Sequence, residues 1–295
     1  MSVNKYELPE GTFSCVRQRN NSYCIQDYEG NARKLLIPQQ FEGIPITSIG
    51  KKAFWRNRYI QHVILSDTIE QVGEWAFSDC PSLRKITIPR REITFGNHVF
   101  QKTEGLHEIS FAGSNDSVNR LMATAATVLE AEYLINPLQA GADSWYRNLD
   151  ARILTIIKES EDNALKNLVY CAEEDMRGKQ DDCLRKQAHK KAEIAFLRLA
   201  YPDRITDDMF ETLADHLRRR TIGCAEKTAW EVVRENAQSQ KAYCDILIKI
   251  GGIREDNFQV ALNDLGEDAV ELKAYLLKKR QNGQQTANLW ESLEL

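Results

Sequence analysis

Charge of one sign, glycine-rich loops and long apolar runs are all scarce in this 295-residue chain. Lys and Arg number 39 against 43 Asp and Glu, a net charge of −4. That is too small to select nucleic acid or an anionic membrane surface as partner. Divided at Gly113, the chain has 14 basic and 12 acidic residues before that point and 25 and 31 after it, so neither half is a basic arm. With only 15 glycines, neither a Walker loop nor Gly-x-Gly-x-x-Gly occurs, and Gly-x-Ser-x-Gly and His-Glu-x-x-His are absent too. The five histidines (62, 98, 107, 189 and 216) do not recur at metal-ligand spacing. Cys171, Cys183 and His189 leave eleven residues between the two thiols, where a zinc tetrahedron wants a close Cys-x-x-Cys pair. No metal, no cofactor and no catalytic constellation is therefore expected, and the chain reads as a non-enzyme. The acidic clusters 173–175 and 181–182 read as solvated helix faces, and the basic run 218–220 as the complement to a helix C-terminus. Seven cysteines, an odd number without paired spacing, read as free thiols. No stretch approaches the ~18–20 apolar residues of a membrane span, and residues 1–10 hold no apolar run. A cytoplasmic chain with reduced cysteines is the expectation.

What is present is a repeat. Ile49-Gly50, Val72-Gly73 and Phe95-Gly96 stand 23 residues apart, as do Ala53-Phe54, Ala76-Phe77 and Val99-Phe100. Ile60, Leu83 and Leu106 keep the interval, then Val63, Ile86 and Ile109, then Leu65, Ile88 and Phe111. In-phase apolar columns of this kind describe the coils of a solenoid. The run Lys85-Ile86-Thr87-Ile88 alternates as a half-buried strand does, and Pro89 stops it. The glycine of each Ile-Gly pair is expected to allow the turn, and Ala-Phe supplies one small and one large filler for the coil interior.

The segments 44–54 and 72–89 (Val72-Gly73-Glu74-Trp75-Ala76-Phe77-Ser78-Asp79-Cys80-Pro81-Ser82-Leu83) closely resemble the BspA-like leucine-rich repeat family of bacteria. Asn57, Cys80 and Thr103 occupy the position where such repeats use a side chain to satisfy loop backbone. Phe13–Arg17 and Tyr23–Tyr28, turning at 19–21, look like that family's N-terminal capping hairpin. The third repeat, with Val99-Phe100 and no closing proline, is weakened as a terminal repeat is. The resemblance covers roughly residues 5–113 and implies a binding scaffold without catalytic residues. Many members are secreted surface proteins, which makes a bacterial surface adhesin the alternative.

From Ser114 the period changes from 2 to 3.6. Stripes at Val118–Leu129, Trp145–Ile157, Leu165–Ala172 and Leu184–Leu199 announce helices, and Thr206 is an N-cap for residues 207–220. Short helices follow around Trp230, Tyr243–Ile250 (closed by Gly251-Gly252), Phe258–Leu265 and Val270–Leu277. Their pair spacing near 30 residues is similar to ankyrin-like helix pairs, without a Thr-Pro-Leu-His signature. The expected fold class is an α+β repeat protein: a leucine-rich-repeat β-solenoid over 1–113, then an irregular α-helical solenoid or bundle over 114–295.

Strand alternation assigns the exposed positions. With Val63, Ile86 and Ile109 facing inward, one outward column reads His62, Lys85, Glu108 and another Ile64, Thr87, Ser110. In the first full repeat, Trp55, Arg58 and Tyr59 are the residue types that dominate interfaces. Trp75 aligns with the polar Lys52, so the core does not demand it either. The candidate partner-binding residues are thus Trp55, Arg58, Tyr59, His62, Ile64, Lys85, Thr87 and Glu108. The partner expected is another protein. An enzyme with its site hidden in the helical half is the third reading.

Overall fold

The computed structural model describes residues 3–159, 176–236 and 239–293, and its contacts divide the chain into two compact units, Met1–Ile156 and Ile157–Leu295. The first unit opens with three antiparallel strands, β1 (Val3–Leu8), β2 (Gly11–Arg17) and β3 (Tyr23–Glu29). The last two are the hairpin read from the sequence, and Asn21 takes the left-handed turn position at φ 63°. β1 gave no signal because Val3, Lys5 and Glu7 on one of its faces are all exposed.

Pairing then becomes parallel. β3 is followed in its sheet by β6 (Ile44–Ile49), β8 (Gln71–Val72) and β10 (Thr94–Phe95), with β5 (Gln40–Phe41) beside β6. A second parallel sheet runs β4 (Lys34–Leu36), β7 (His62–Ile64), β9 (Lys85–Thr87), β11 (Glu108–Ser110). Each coil thus supplies one rung to each sheet. Between the sheets lies an aromatic spine at the repeat spacing: Phe54 stacks on Phe77 at 4.9 Å and 8°, and Phe77 on Phe100 at 6.0 Å and 10°. Val63, Ile86 and Ile109 are buried beside it, as their alternation requires.

The repeat glycines correct the sequence reading. Gly50, Gly73 and Gly96 do not have the positive φ of a turn glycine. They are needed for close approach: a Cβ on Gly73 would lie 2.7 Å from the backbone N of Lys51 and 2.8 Å from the carbonyl carbon of Gly50. The positive φ falls two residues later, on Lys52 (62°), Trp75 (53°) and His98 (58°), and again on Arg56 (60°), Asp79 (57°) and Lys102 (56°). The satisfying position behaves as expected. Asn57 Oδ1 accepts from the amides of Tyr59 and Ile60, Cys80 Sγ donates to Phe54 O at 3.2 Å, and Thr103 Oγ1 to Phe77 O at 2.7 Å.

The compact unit runs on past the change of period at Gly113. Helix α1 (Asp116–Thr127), N-capped by Asn115, packs on β11 and buries Val118, Leu121 and Met122. A 3-10 turn (Glu132–Leu134) follows beside β10, and α2 (Asp143–Lys158) is tied back by Trp145 Nε1 donating to Leu134 O at 2.8 Å. The last coil would otherwise expose Ile109 and Phe111, so the unit ends only after α2 has begun to leave it.

The second unit holds α3 (Met176–Ala200), α4 (Asp207–Arg218), α5 (Thr228–Glu235), α6 (Gln240–Lys249), α7 (Glu255–Asp264) and α8 (Val270–Leu293). The stripe Leu165–Ala172 and Cys171 lie outside the described residues. Thr206 caps α4 as expected, accepting from Met209 N at 3.3 Å. α3 packs on α4, α5 and α6. Single polar side chains fasten the turns: Asn257 Nδ2 donates to Ile222 O (3.2 Å) and Gly252 O (2.8 Å) while its Oδ1 accepts from Arg254 N. Fully buried Arg198 donates to the carbonyls of Tyr201 and Asp203, and Trp230 Nε1 to Asp264 at 2.8 Å. Among the described residues no helix is long and apolar enough to cross a membrane.

Candidate partner-binding surface

The eight candidate residues fall into two neighbouring groups on the solenoid. His62, Lys85 and Glu108 stand opposite one another on β7, β9 and β11, and Lys34 on β4 extends their column. Ile64 and Thr87 form the second column, which Leu36 extends at 58 % exposure. Ser110, expected to face outward there, is buried, because α1 packs over β11.

These columns are cross-linked from coil to coil. Lys85 Nζ pairs with Glu108 at 2.6 Å, His62 Nε2 meets Thr87 Oγ1 at 2.9 Å, and Thr87 meets Ser110 at 3.4 Å. The His62 imidazole is held below its usual pKa by partial burial first, then by the Lys85 and Lys34 ammoniums. This shift favours the neutral, hydrogen-bonding form of the ring.

Trp55, Arg58 and Tyr59 lie on the turn that feeds β7. Trp55 is 41 % and Tyr59 58 % exposed. Neighbours outside the eight candidates complete this group. The Arg56 guanidinium lies 4.2 Å from the Trp55 ring centroid, and the Lys52 ammonium sits 4.7 Å from Trp55 and 5.5 Å from Trp75. Lys51 approaches Trp75 at 4.5 Å, and Trp75 stacks on His98 at 6.0 Å and 14°. The 23-residue alignment of Lys52, Trp75 and His98 was the available signal. It could not show that all three take left-handed backbone. For a bulky Trp that backbone costs ~1–2 kcal/mol, so its presence there is not a packing economy.

Aromatic rings and cations thus lie side by side along this surface. Among the described residues no cluster of His, Cys, Asp and Glu is placed to hold a metal ion. Burial pushes the Cys15, Cys80 and Cys244 thiols up to about 12, which makes them poor nucleophiles.

Residues 28–130 match the family model for the BspA type leucine rich repeat region, in six copies. This segment is similar to BspA-type repeats. Among solved structures, a leucine rich cell surface protein from Faecalibacterium prausnitzii is 22 % identical, with 38 % of this chain and 33 % of that one covered and a TM-score of 0.31. A leucine rich repeat protein of T. pallidum is 24 % identical over 34 % of this chain and 47 % of its own, at a TM-score of 0.30. For a leucine-rich repeat protein from Bacteroides capillosus the values are 18 %, 37 %, 99 % and 0.29. This chain thus spans a third to a half of the length of the first two. No curated protein matches it. All eight candidate residues lie inside the BspA-type segment, and the match runs through α1.

Proposed function

We propose that the chain is a non-catalytic scaffold whose BspA-type repeats bind another protein. The observation that carries this reading is the exposed Trp55–Tyr59 turn beside a preformed ladder. Side chains on a hydrogen-bonded frame lose little freedom on docking, and Trp, Tyr and Arg are the types that dominate interface energies. To test it, full-length chain and a Trp55→Ala/Tyr59→Ala variant are used as baits in extracts of the source cells, and a protein retained only by the parent is measured by calorimetry. Truncating such anchors should cost ~2 kcal/mol or more, about thirtyfold in affinity. Indistinguishable eluates would remove the turn from the interface.

The reading also assigns the chain to a reducing, cytosolic environment. Its support is the free state of Cys15, Cys24, Cys80, Cys224 and Cys244. A thiol titration of natively isolated, denatured protein should then count all seven cysteines of the sequence, and a count of five would reveal a disulfide and reverse the assignment.

A further inference from the structure

Folding gathers cations that the composition hides. Arg33, Lys34, Lys52, Arg58, Arg84 and Lys102 are all exposed, and none has a carboxylate partner among the described residues. Arg33 and Lys34 open the four-stranded sheet at β4, Arg84 stands just ahead of β9, and Lys52, Arg58 and Lys102 lie on the turns that lead from one sheet to the other. The Arg33 carbonyl accepts from the amides of Gln61 and His62, and the Gln61 carbonyl from those of Arg84 and Lys85, so Arg33 and Arg84 are two rungs apart. Lys102 lies in the same turn column as Arg56 and Asp79, joined by Arg56 N to Ser78 O and Asp79 N to Gln101 O. Two acids of this edge are already taken from the adjacent coil, Glu74 by Lys51 and Asp79 by Arg56, both at 2.9 Å, while Glu104 is exposed in the Arg58 column. The chain as a whole carries −4.

We propose that this edge docks an acidic protein segment, its carboxylates meeting Lys52, Arg58 and Arg84 and its apolar side chains meeting Trp55 and Tyr59. The inference rests on the scaffold reading above and names the chemistry of its partner. The internal pairs show the fit: carboxylates of Glu74, Asp79 and Glu108 already sit on this frame's cations. Those same carboxylates disfavour a continuous polyphosphate, which would pass over them at every coil, whereas a segment mixing acids with apolar residues can step between them. The two exposed aromatic rings have no role in a purely ionic site.

The full chain is titrated with a short peptide alternating Glu and Asp with Leu and Phe, and tryptophan emission reports binding through Trp55. An oligothymidylate of equal charge is titrated in parallel. The expected result is saturation by the peptide, weakened about tenfold in Lys52→Glu/Arg84→Glu and less in Lys52→Gln/Arg84→Gln, and weakened further as salt rises from ~50 to ~500 mM. Both variants alter exposed side chains, and cooperative melting confirms their fold. Peptide affinity equal in parent and charge-reversed chain would overturn the proposal, as would tighter saturation by oligothymidylate. Absence of peptide binding while a partner from cell extracts still requires Trp55 and Tyr59 would overturn the acidic chemistry and spare the scaffold reading. Capture indifferent to those two residues would overturn both.

Discussion

The two units hold themselves together by different means. In the solenoid many stabilising contacts run from one coil to the next at or near the repeat spacing: the Phe54–Phe77–Phe100 stack, the Cys80 and Thr103 fastenings, and the Lys51–Glu74, Arg56–Asp79 and Lys85–Glu108 pairs. Loss of one contact removes one rung from a ladder and leaves its neighbours exposed. The helical unit has no such column among its described residues. It relies on single side chains that each act once, such as Asn257, Arg198 and the Trp230–Asp264 bond. Periodicity makes the first unit readable, while the second concentrates its vulnerability at a few buried polar groups.

The largest test of that contrast is Phe77→Ala. It opens a cavity at the middle of the aromatic spine, where Phe77 is 1 % exposed, and should cost ~3–5 kcal/mol. Urea unfolding followed by far-ultraviolet circular dichroism would measure it. A cost below 1 kcal/mol would mean the coils collapse around the gap and are not a rigid stack.

Acid should strike the helical unit next. His216 is buried, its Nε2 has no hydrogen-bond partner in the described structure, and burial, then Arg220 and Lys191, lower its pKa from 6.5 to about 4. A lowered pKa means the unfolded chain binds the proton more readily. Stability is therefore intact above pH 6.5 and withdrawn as pH falls towards 4, by about 3 kcal/mol in the limit. His216→Leu should flatten this dependence, measured as the urea midpoint against pH. An unchanged profile would show that other groups govern the acid limb.

Asn257→Ala should follow, at ~1–3 kcal/mol, since it leaves the carbonyls of Ile222 and Gly252 without their donor. Denaturant unfolding monitored by Trp230 and Trp145 emission would register it. The smallest effect is expected at Trp75→Gly. Relief of left-handed Trp backbone, ~1–2 kcal/mol, offsets the lost ring contacts with Lys51, Lys52 and His98, each ~0.5–1 kcal/mol. Stability should change by less than about 1 kcal/mol while partner binding falls. A large destabilisation would make Trp75 a structural residue and weaken the recognition reading.

Legibility followed periodicity. The inward columns at Val63, Ile86 and Ile109, the Asn57–Cys80–Thr103 position and the Thr206 cap could be read directly, because each depends on local spacing or on one repeat matched to the next. β1 escaped notice because no repeat frame reaches Val3–Leu8. The role of Gly73 was misjudged because the sequence marks a glycine without saying whether φ or a neighbouring coil demands it. Of the candidate surface, the aromatic turn and the His62 column were legible, and the burial of Ser110 was not.

By itself the sequence determined the 23-residue coil, the inward and outward alternation and the switch to helices, all of which follow from short-range periodicity. Only the tertiary structure decided where the first compact unit ends, since covering Ile109 and Phe111 depends on α1 folding back on β11. It alone also decided the basic edge. Arg33, Lys52 and Arg84 are far apart in the chain and balanced by acids in composition. Arg33 and Arg84 come onto one edge because parallel coils stack residues 23 to 28 positions apart about 5 Å from each other, two such steps separating the pair.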